Sequence, residues 1–263
     1  MLVIGERING MFRNVRAAIK ERDADVIKGL ASSQVAAGAG ALDVNAGPAS
    51  DDPAETMRWL VTSIREVTDV PLAIDTTNAD VMRAGLELSA PKALINSTTG
   101  VQEKLDTLLP MAAEFKVAII GLTIDEKGVP RDAAGRNEVA LRIVAGAMEH
   151  GIDTGQIYID PVILPVNVAQ SAVREVLASI RECKILADPP PKTVLGLSNV
   201  SQGTTCRELI NGTMLIMALA NGLDAAIMDP FDTAMMDAMI AAELLLDKHI
   251  YCDDFLKAYR SGR

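Results

Sequence analysis

The chain has 263 residues, 49% of them apolar but only 3% aromatic, and a formal net charge of −10. That charge excludes nucleic acid and an anionic membrane surface as partners, because both are held by clustered Lys and Arg. Cys183, Cys206 and Cys252 stand far apart with no CxxC pair, which excludes a disulfide framework and a zinc knuckle, so all three read as structural.

Eight short, β-branched apolar runs follow one another along the chain: Leu2–Gly5, Ala41–Asn45, Leu72–Asp75, Ala93–Asn96, Val117–Thr123, Ile157–Asp160, Thr193–Leu197 and Ala225–Met228. Amphipathic helical stretches separate them, at Val15–Ala37, Pro53–Val67, Ala79–Leu88, Val101–Phe115, Arg136–His150, Val168–Leu186, Arg207–Asn221 and Thr233–Leu246. Strands alternating with helices predict a parallel sheet. Eight such units predict closure into an α/β fold of one domain over residues 1–263, a single (β/α)₈ TIM barrel. Asp52 before Pro53 marks a helix start, and Gly151 and Gly222 mark helix ends. The proline run before Lys192 reads as a rigid lead into the seventh strand. The rival open, doubly wound sheet is disfavoured because no GxGxxG follows an early strand. No apolar run reaches the roughly 18 residues of a membrane span, and LVIGERING is not a leader, so a cytoplasmic protein is expected.

Nearly every predicted strand ends on a residue too polar for a barrel core: Glu6, Arg7 and Asn9, then Asp43 and Asn45, Asp75, Asn96, Thr123, Asp160, Ser198 and Asn199, and Asp229. In a (β/α)₈ barrel these ends converge on one face, where active sites lie. The set holds no His, Cys or Lys, and His150 and His249 fall near helix ends. A His-centred metal site, a Ser–His–Asp triad and a Schiff base are therefore excluded. Two chemistries fit several carboxylates and amides at one mouth. One is a metal bound by hard oxygen ligands. The other is a heterocycle with adjacent ring N–H, amine and carbonyl groups, such as a pterin, cradled by Asp and Asn. Some of these residues have structural readings as well. Asp43 and Asn45 suit a cap or loop, Asp229 before Pro230 a turn, and Glu6 with Arg7 an ion pair. The Met-rich stretch from Met228 to Met239 reads as core packing.

The segments IGERING (4–10), ALDVNAGP (41–48), AIDTTN (73–78), ALINST (93–98), IIGLT (119–123), YIDPVILP (158–165) and KTVLGLSNVSQG (192–203) resemble the methyltetrahydrofolate:corrinoid protein methyltransferases, within the pterin-binding barrel superfamily. The resemblance covers essentially the whole chain, including YCDDF (251–255). It implies that Asp75, Asn96 and Asp160 bind the pterin and that Asn199 approaches the methylated ring nitrogen. Gly196, Ser198 and Gln202 would lie beside the pterin and aminobenzoate, and Arg207 would reach toward the folate tail. The implied substrates are tetrahydrofolate and 5-methyltetrahydrofolate, with no metal held by this chain. Because no DxHxxG motif is present, the corrinoid (cobalamin) is expected on a partner protein that docks over the barrel mouth. A homodimer is also implied. The reaction would be an SN2 displacement at the methyl carbon. Its proton would come from solvent through a network that includes Asn199 and Asp160. Dihydropteroate synthases share the superfamily, but here MDPFDTA (228–234) lacks their Arg–x–His, and Lys192 lies before its strand rather than after it. A non-catalytic folate-binding module is the remaining alternative, although it would have no use for Asn199 at the methylated nitrogen.

Overall fold

The computed structural model describes residues 1–48 and 50–251 together with Phe255 and Tyr259. Eight parallel strands close into a barrel in chain order: β1 (Leu2–Asn9), β2 (Ala41–Asn45), β3 (Leu72–Asp75), β4 (Ala93–Thr99), β5 (Ala118–Leu122), β6 (Ile157–Asp160), β7 (Lys192–Gly196) and β8 (Ala225–Met228). Around it lie α1 (Arg13–Glu21), α2 (Ala24–Ala36), α3 (Pro53–Arg65), α4 (Ala79–Ser89), α5 (Gln102–Phe115), α6 (Ala133–Glu149), α7 (Ala172–Glu182), α8 (Arg207–Ala220) and α9 (Thr233–Leu245). This is the (β/α)₈ barrel that the strand–helix alternation predicts.

The period of two along each strand divides the apolar residues between two cores. Ile4, Ala41, Ala73, Leu94, Ile120, Tyr158, Val194 and Ala225, one from each strand, point inward and fill the barrel. Their neighbours Val3, Leu42, Ile74, Ile95, Ile119, Ile159, Leu195 and Ala226 point outward into the layer beneath the helices. Burying each large aliphatic side chain contributes about 1.5–3 kcal/mol. Moving two residues on from the inward series brings Glu6, Asp43, Asp75, Asn96, Leu122, Asp160, Gly196 and Ile227 to the C-terminal mouth, all of them lining one cavity. The polar strand ends are therefore the next inward layer above the apolar plug, which is why they share a site. At the opposite end Lys192 begins β7, and its ammonium hydrogen bonds to the Tyr158 hydroxyl at 3.3 Å.

Helix caps follow the predicted chemistry. Asp52 accepts from the amide of Glu55 at the start of α3, and Gly151 and Gly222 carry positive φ beyond α6 and α8. The stretch read as one helix over Val15–Ala37 is two. Arg22 takes a left-handed φ of 54° that ends α1, and the Asp23 carboxylate caps α2 by accepting from the amides of Asp25 and Val26. The first strand runs four residues past its predicted end, through a register shift between Gly5 and Ile8. The fourth strand likewise continues to Thr99, with a shift between Asn96 and Thr98. Met228, Met235, Met236 and Met239 are buried, as expected of core packing. Cys183 is buried, Cys206 is exposed just before α8, and Cys252 lies outside the described residues. No helix among the described residues is long and apolar enough to cross a membrane.

The loops after β1 and β2 touch at two glycines. A Cβ on Gly10 would stand 2.3 Å from the Ala46 carbonyl oxygen and 3.0 Å from the Gly47 Cα, and Gly47 itself has φ +62°. Both obstacles are backbone, so neither can rotate away. We expect Gly10→Ala to cost at least about 2 kcal/mol of stability. An unchanged urea midpoint would show that these loops separate freely.

Candidate active site

The mouth of the barrel holds a cavity of about 700 Å³. Its floor is built from β2, β3, β4 and β6. Asn96 donates from Nδ2 to Asp43 Oδ1 at 2.8 Å, which leaves its carbonyl oxygen as the acceptor available to a ligand. Asn45 donates to Asp75 Oδ2 at 2.7 Å and accepts the Gly47 amide at 2.6 Å. Asp160 accepts from the backbone amide of Val162 at 2.7 Å with one oxygen and from that of Gly196 at 3.3 Å with the other. Val162, a β-branched residue, is held at φ 59°, a conformation it rarely adopts without such support.

The wall is formed by the segment after β7 and by the ends of β1 and β8. Residues Leu197–Ser201 form a 3₁₀ turn that carries Ser198 and Asn199 above the floor. Ser198 donates its hydroxyl to Glu6 Oε1 at 2.8 Å. Arg207, at the start of α8, donates to Ser201 Oγ at 3.0 Å and to the Ser198 carbonyl at 3.2 Å. The turn is thus clamped from two sides. The Asn199 side chain is exposed to the cavity, and its amide makes no hydrogen bond among the described residues. A Cβ on Gly196 would lie 2.9 Å from Asn199 Nδ2, so the glycine makes room for that amide.

The electrostatics of the floor follow from burial without a close cation. Asp160 is pushed up to about 6 by desolvation, against the two backbone amides that hold its charge. Asp43 is pushed well above the usual carboxylate range, first by burial and next by the neighbouring Asp75. Asp75 is itself raised by burial, while the Asn45 amide opposes the shift. Such a surface gains from a ligand that donates several N–H groups, because each donor stabilises a carboxylate that the protein leaves under-compensated.

The residues singled out from the sequence are placed unequally. Asp75, Asn96, Asp160, Gly196, Ser198, Asn199 and Arg207 all line the cavity, whereas Gln202 is exposed and does not line it. Glu6 and Arg7 do not pair with each other. Glu6 takes Ser198, and Arg7 forms a salt bridge with Asp229 at 3.2 Å while its guanidinium lies 4.5 Å from the Phe12 ring centre. The structure corrects the ion-pair expectation because Asp229 directly follows the adjacent strand β8, on which β1 is paired. Asp229 also accepts the Phe231 amide, so the turn reading holds alongside the salt bridge. Asp43 is no helix cap but the partner of Asn96. Thr123 is buried and off the cavity, with its hydroxyl unpartnered among the described residues.

Asn211 and Glu208 on α8, with Phe12 and Phe231, also line the cavity and were not expected. The Asn211 Oδ1 is buried and unpartnered among the described residues. Its spacing of four from Arg207 was the available signal, since residues i and i+4 share a helix face. Among the described residues no three His, Cys, Asp or Glu side chains are grouped to hold a metal ion.

Comparison with known proteins agrees with the fold. Over 265 aligned residues the chain is 31% identical to the methylcorrinoid:tetrahydrofolate methyltransferase of Eubacterium limosum, covering 100% of this chain and 97% of that protein. It is also 31% identical over 240 residues to methionine synthase of Mycobacterium tuberculosis, a match that spans 86% of this chain but 20% of that larger protein. Dihydropteroate synthase from Xanthomonas albilineans superposes with a TM-score of 0.73 at 19% identity, covering 93% of each chain. The Yersinia pestis enzyme gives 0.71 at 17%, covering 94% of each. These two structures share the fold. Residues 13–229 match the pterin binding enzyme family, and with that match covering most of the barrel and every floor residue, the chain belongs to it.

Proposed function

We propose that this enzyme moves a methyl group between the nitrogen of a methyltetrahydrofolate and the cobalt of a corrinoid carried by a separate protein. The observation that carries the reading is the floor of the cavity. Asp75, Asn96 and Asp160 offer carboxylate acceptors on either side of an amide whose orientation Asp43 fixes. A pterin edge, with its exocyclic amine, ring N–H and carbonyl, complements that pattern. The relative from Eubacterium limosum, aligned over its near-entire length, supports both the folate and the corrinoid side of the reaction.

In this reading Asp75 and Asp160 anchor the pterin and Asn96 aligns it between them. Asn199 then presents its free amide to the methylated nitrogen from the wall above. The corrinoid supplies a cobalt nucleophile when its carrier docks over the open mouth. The methyl carbon leaves the nitrogen in an in-line displacement, and the nitrogen takes up a proton as the bond breaks. An amine anion is a poor leaving group, so acid assistance matters here, typically by 10²–10⁴-fold. Arg207 clamps the turn that bears Asn199 and lines the cavity, where it would meet a folate tail. A homodimer formed through the outer helices would leave the mouth free for the carrier.

The synthase reading lacks its chemistry, because Lys192 bonds to Tyr158 at the far end of the barrel. The deciding experiment is a single-turnover assay with 5-methyltetrahydrofolate and cob(I)alamin, followed by cobalt absorbance. We expect methyl transfer by the intact protein and no dihydropteroate from 4-aminobenzoate and an activated dihydropterin. Tight folate binding with no methyl transfer to either free or protein-bound corrinoid would leave a binding module.

A further inference from the structure

The floor and wall anchor a ligand, but neither Asn199 nor a doubly bonded Asp160 readily releases a proton. The Asn199 amide is not an acid at neutral pH. Both Asp160 oxygens already accept backbone amides. Among the other carboxyls that line the cavity, Asp43 and Asp75 are held by the amides of Asn96 and Asn45, Asp229 by Arg7 and Asp232 by the start of α9, and Glu6 is the one bonded to the turn that carries Asn199. It ends the inward series of β1, lines the cavity, and makes one side-chain hydrogen bond, to the hydroxyl of Ser198, the residue next to Asn199.

We propose that Glu6 and Ser198 form the proton relay of the methyl transfer, with Glu6 as the store and Ser198 as the carrier to the methylated nitrogen. The inference rests on the reading of this site as a methyl-transfer centre. In the direction that demethylates folate, the bond between nitrogen and methyl carbon breaks and its electron pair stays on nitrogen. The carbon bonds to the cobalt(I) nucleophile, which supplies the electron pair of the new bond. The nitrogen takes the Ser198 proton while Ser198 takes that of Glu6, which becomes a carboxylate and regains a proton from solvent. In the reverse direction the nitrogen gives up its proton through Ser198 to the Glu6 carboxylate, so no further reactant is needed.

The surroundings suit a group that must hold and release a proton. Burial raises Glu6 above the usual carboxylate range, and Asp229 after β8 adds to that. Glu6 in turn raises the neighbouring Asp43 on β2. Arg7 on β1, Arg207 on α8 and the Ser198 hydroxyl favour the Glu6 carboxylate and hold its rise in check. Neither arginine is bonded to Glu6 itself, since Arg7 takes Asp229 and Arg207 takes the Ser198 carbonyl and Ser201. The proton can therefore leave without breaking a salt bridge.

The relay gives opposite pH dependences in the two directions. Demethylation of folate needs Glu6 protonated and slows as pH rises through its titration. Methylation of tetrahydrofolate needs the carboxylate and speeds up over the same range. The test is single-turnover transfer in both directions against pH for wild type, Glu6→Gln, Glu6→Asp and Ser198→Ala, with folate affinity measured by calorimetry alongside. We expect Glu6→Gln to slow both directions by about 10²-fold and flatten both profiles, with folate affinity changed less than about three-fold. Glu6→Asp should recover part of the rate and the pH dependence, which a merely structural role would not restore. Glu6→Gln with wild-type rates and both slopes intact would overturn the relay and return the proton to solvent near Asp160. Absence of transfer in wild type despite folate binding would instead defeat the methyl-transfer reading, and the relay with it.

Discussion

Asp160→Asn is expected to lose pterin affinity by at least about 10²-fold and, with it, the pH dependence of binding. The carboxylate is an acceptor only, and it has room for ligand donors beyond the Val162 and Gly196 amides it already holds. Hydrogen bonds to a charged acceptor contribute about 1.5–3 kcal/mol each. Two such bonds amount to roughly 10²–10⁴ in affinity. The asparagine keeps the shape and one acceptor, but its amide hydrogens must face either a backbone N–H or a ligand N–H. The sign of the pH effect follows from the raised pKa of about 6. Ligand donors bind the ionised form, so wild-type affinity is level above about pH 7 and falls by up to about ten-fold per unit below about 6. Isothermal titration with 5-methyltetrahydrofolate between pH 5 and 8 checks both statements. Equal affinity and equal pH dependence in Asp160→Asn would remove Asp160 from the pterin site. Asp160→Ala is the harsher variant, because it also leaves two amides unpartnered and frees Val162 from its strained backbone.

Much of this site is legible in the sequence for a simple reason. The barrel is parallel and in chain order, so each strand's C-terminal residue reaches the mouth whatever the register. Four short strands, β2, β3, β6 and β8, have the predicted ends, because an apolar run bounded by an inward Asp or Asn, or by Asp229, leaves little freedom. Where the chain departs from such punctuation the reading fails. Within Val15–Ala37 the apolar period is interrupted by the polar run at residues 20–23, and the break there is made by one left-handed residue, Arg22, and the Asp23 cap. The extensions of β1 and β4 depend on register shifts that arise from pairing with neighbours. Cross-strand partnerships are hidden for the same reason. Glu6 meets Ser198 and Arg7 meets Asp229 across 192 and 222 residues of sequence, so adjacency in the chain misled where closure of the barrel decided. Asn211 is hidden differently, as one polar residue in a helix whose inward face is visible only once α8 is docked.

Asn199→Ala tests the wall as Asp160→Asn tests the floor, and the two variants should separate in kind. The floor contacts a pterin before and during reaction, so its loss appears in binding. The Asn199 amide has no hydrogen-bond partner among the described residues, and a methylated tertiary nitrogen in the resting substrate is a weak, crowded acceptor. As the methyl leaves, that nitrogen gains an exposed electron pair, and the hydrogen bond from Asn199 strengthens in the transition state. Interactions of that type lower the barrier without tightening ground-state binding. Removing a donor aimed at developing charge costs about 10²–10³-fold in rate, or about 3–4 kcal/mol. We therefore expect Asn199→Ala to lower the single-turnover rate by about 10²-fold while folate affinity changes by less than about three-fold. Asn199 lies exposed on a turn that Glu6 and Arg207 hold independently, so the substitution should leave the barrel's stability unchanged. A loss of affinity equal to the loss of rate would make Asn199 a ground-state contact. Wild-type values for both would place the reacting nitrogen elsewhere in the cavity and reverse the assigned orientation of the pterin between floor and wall.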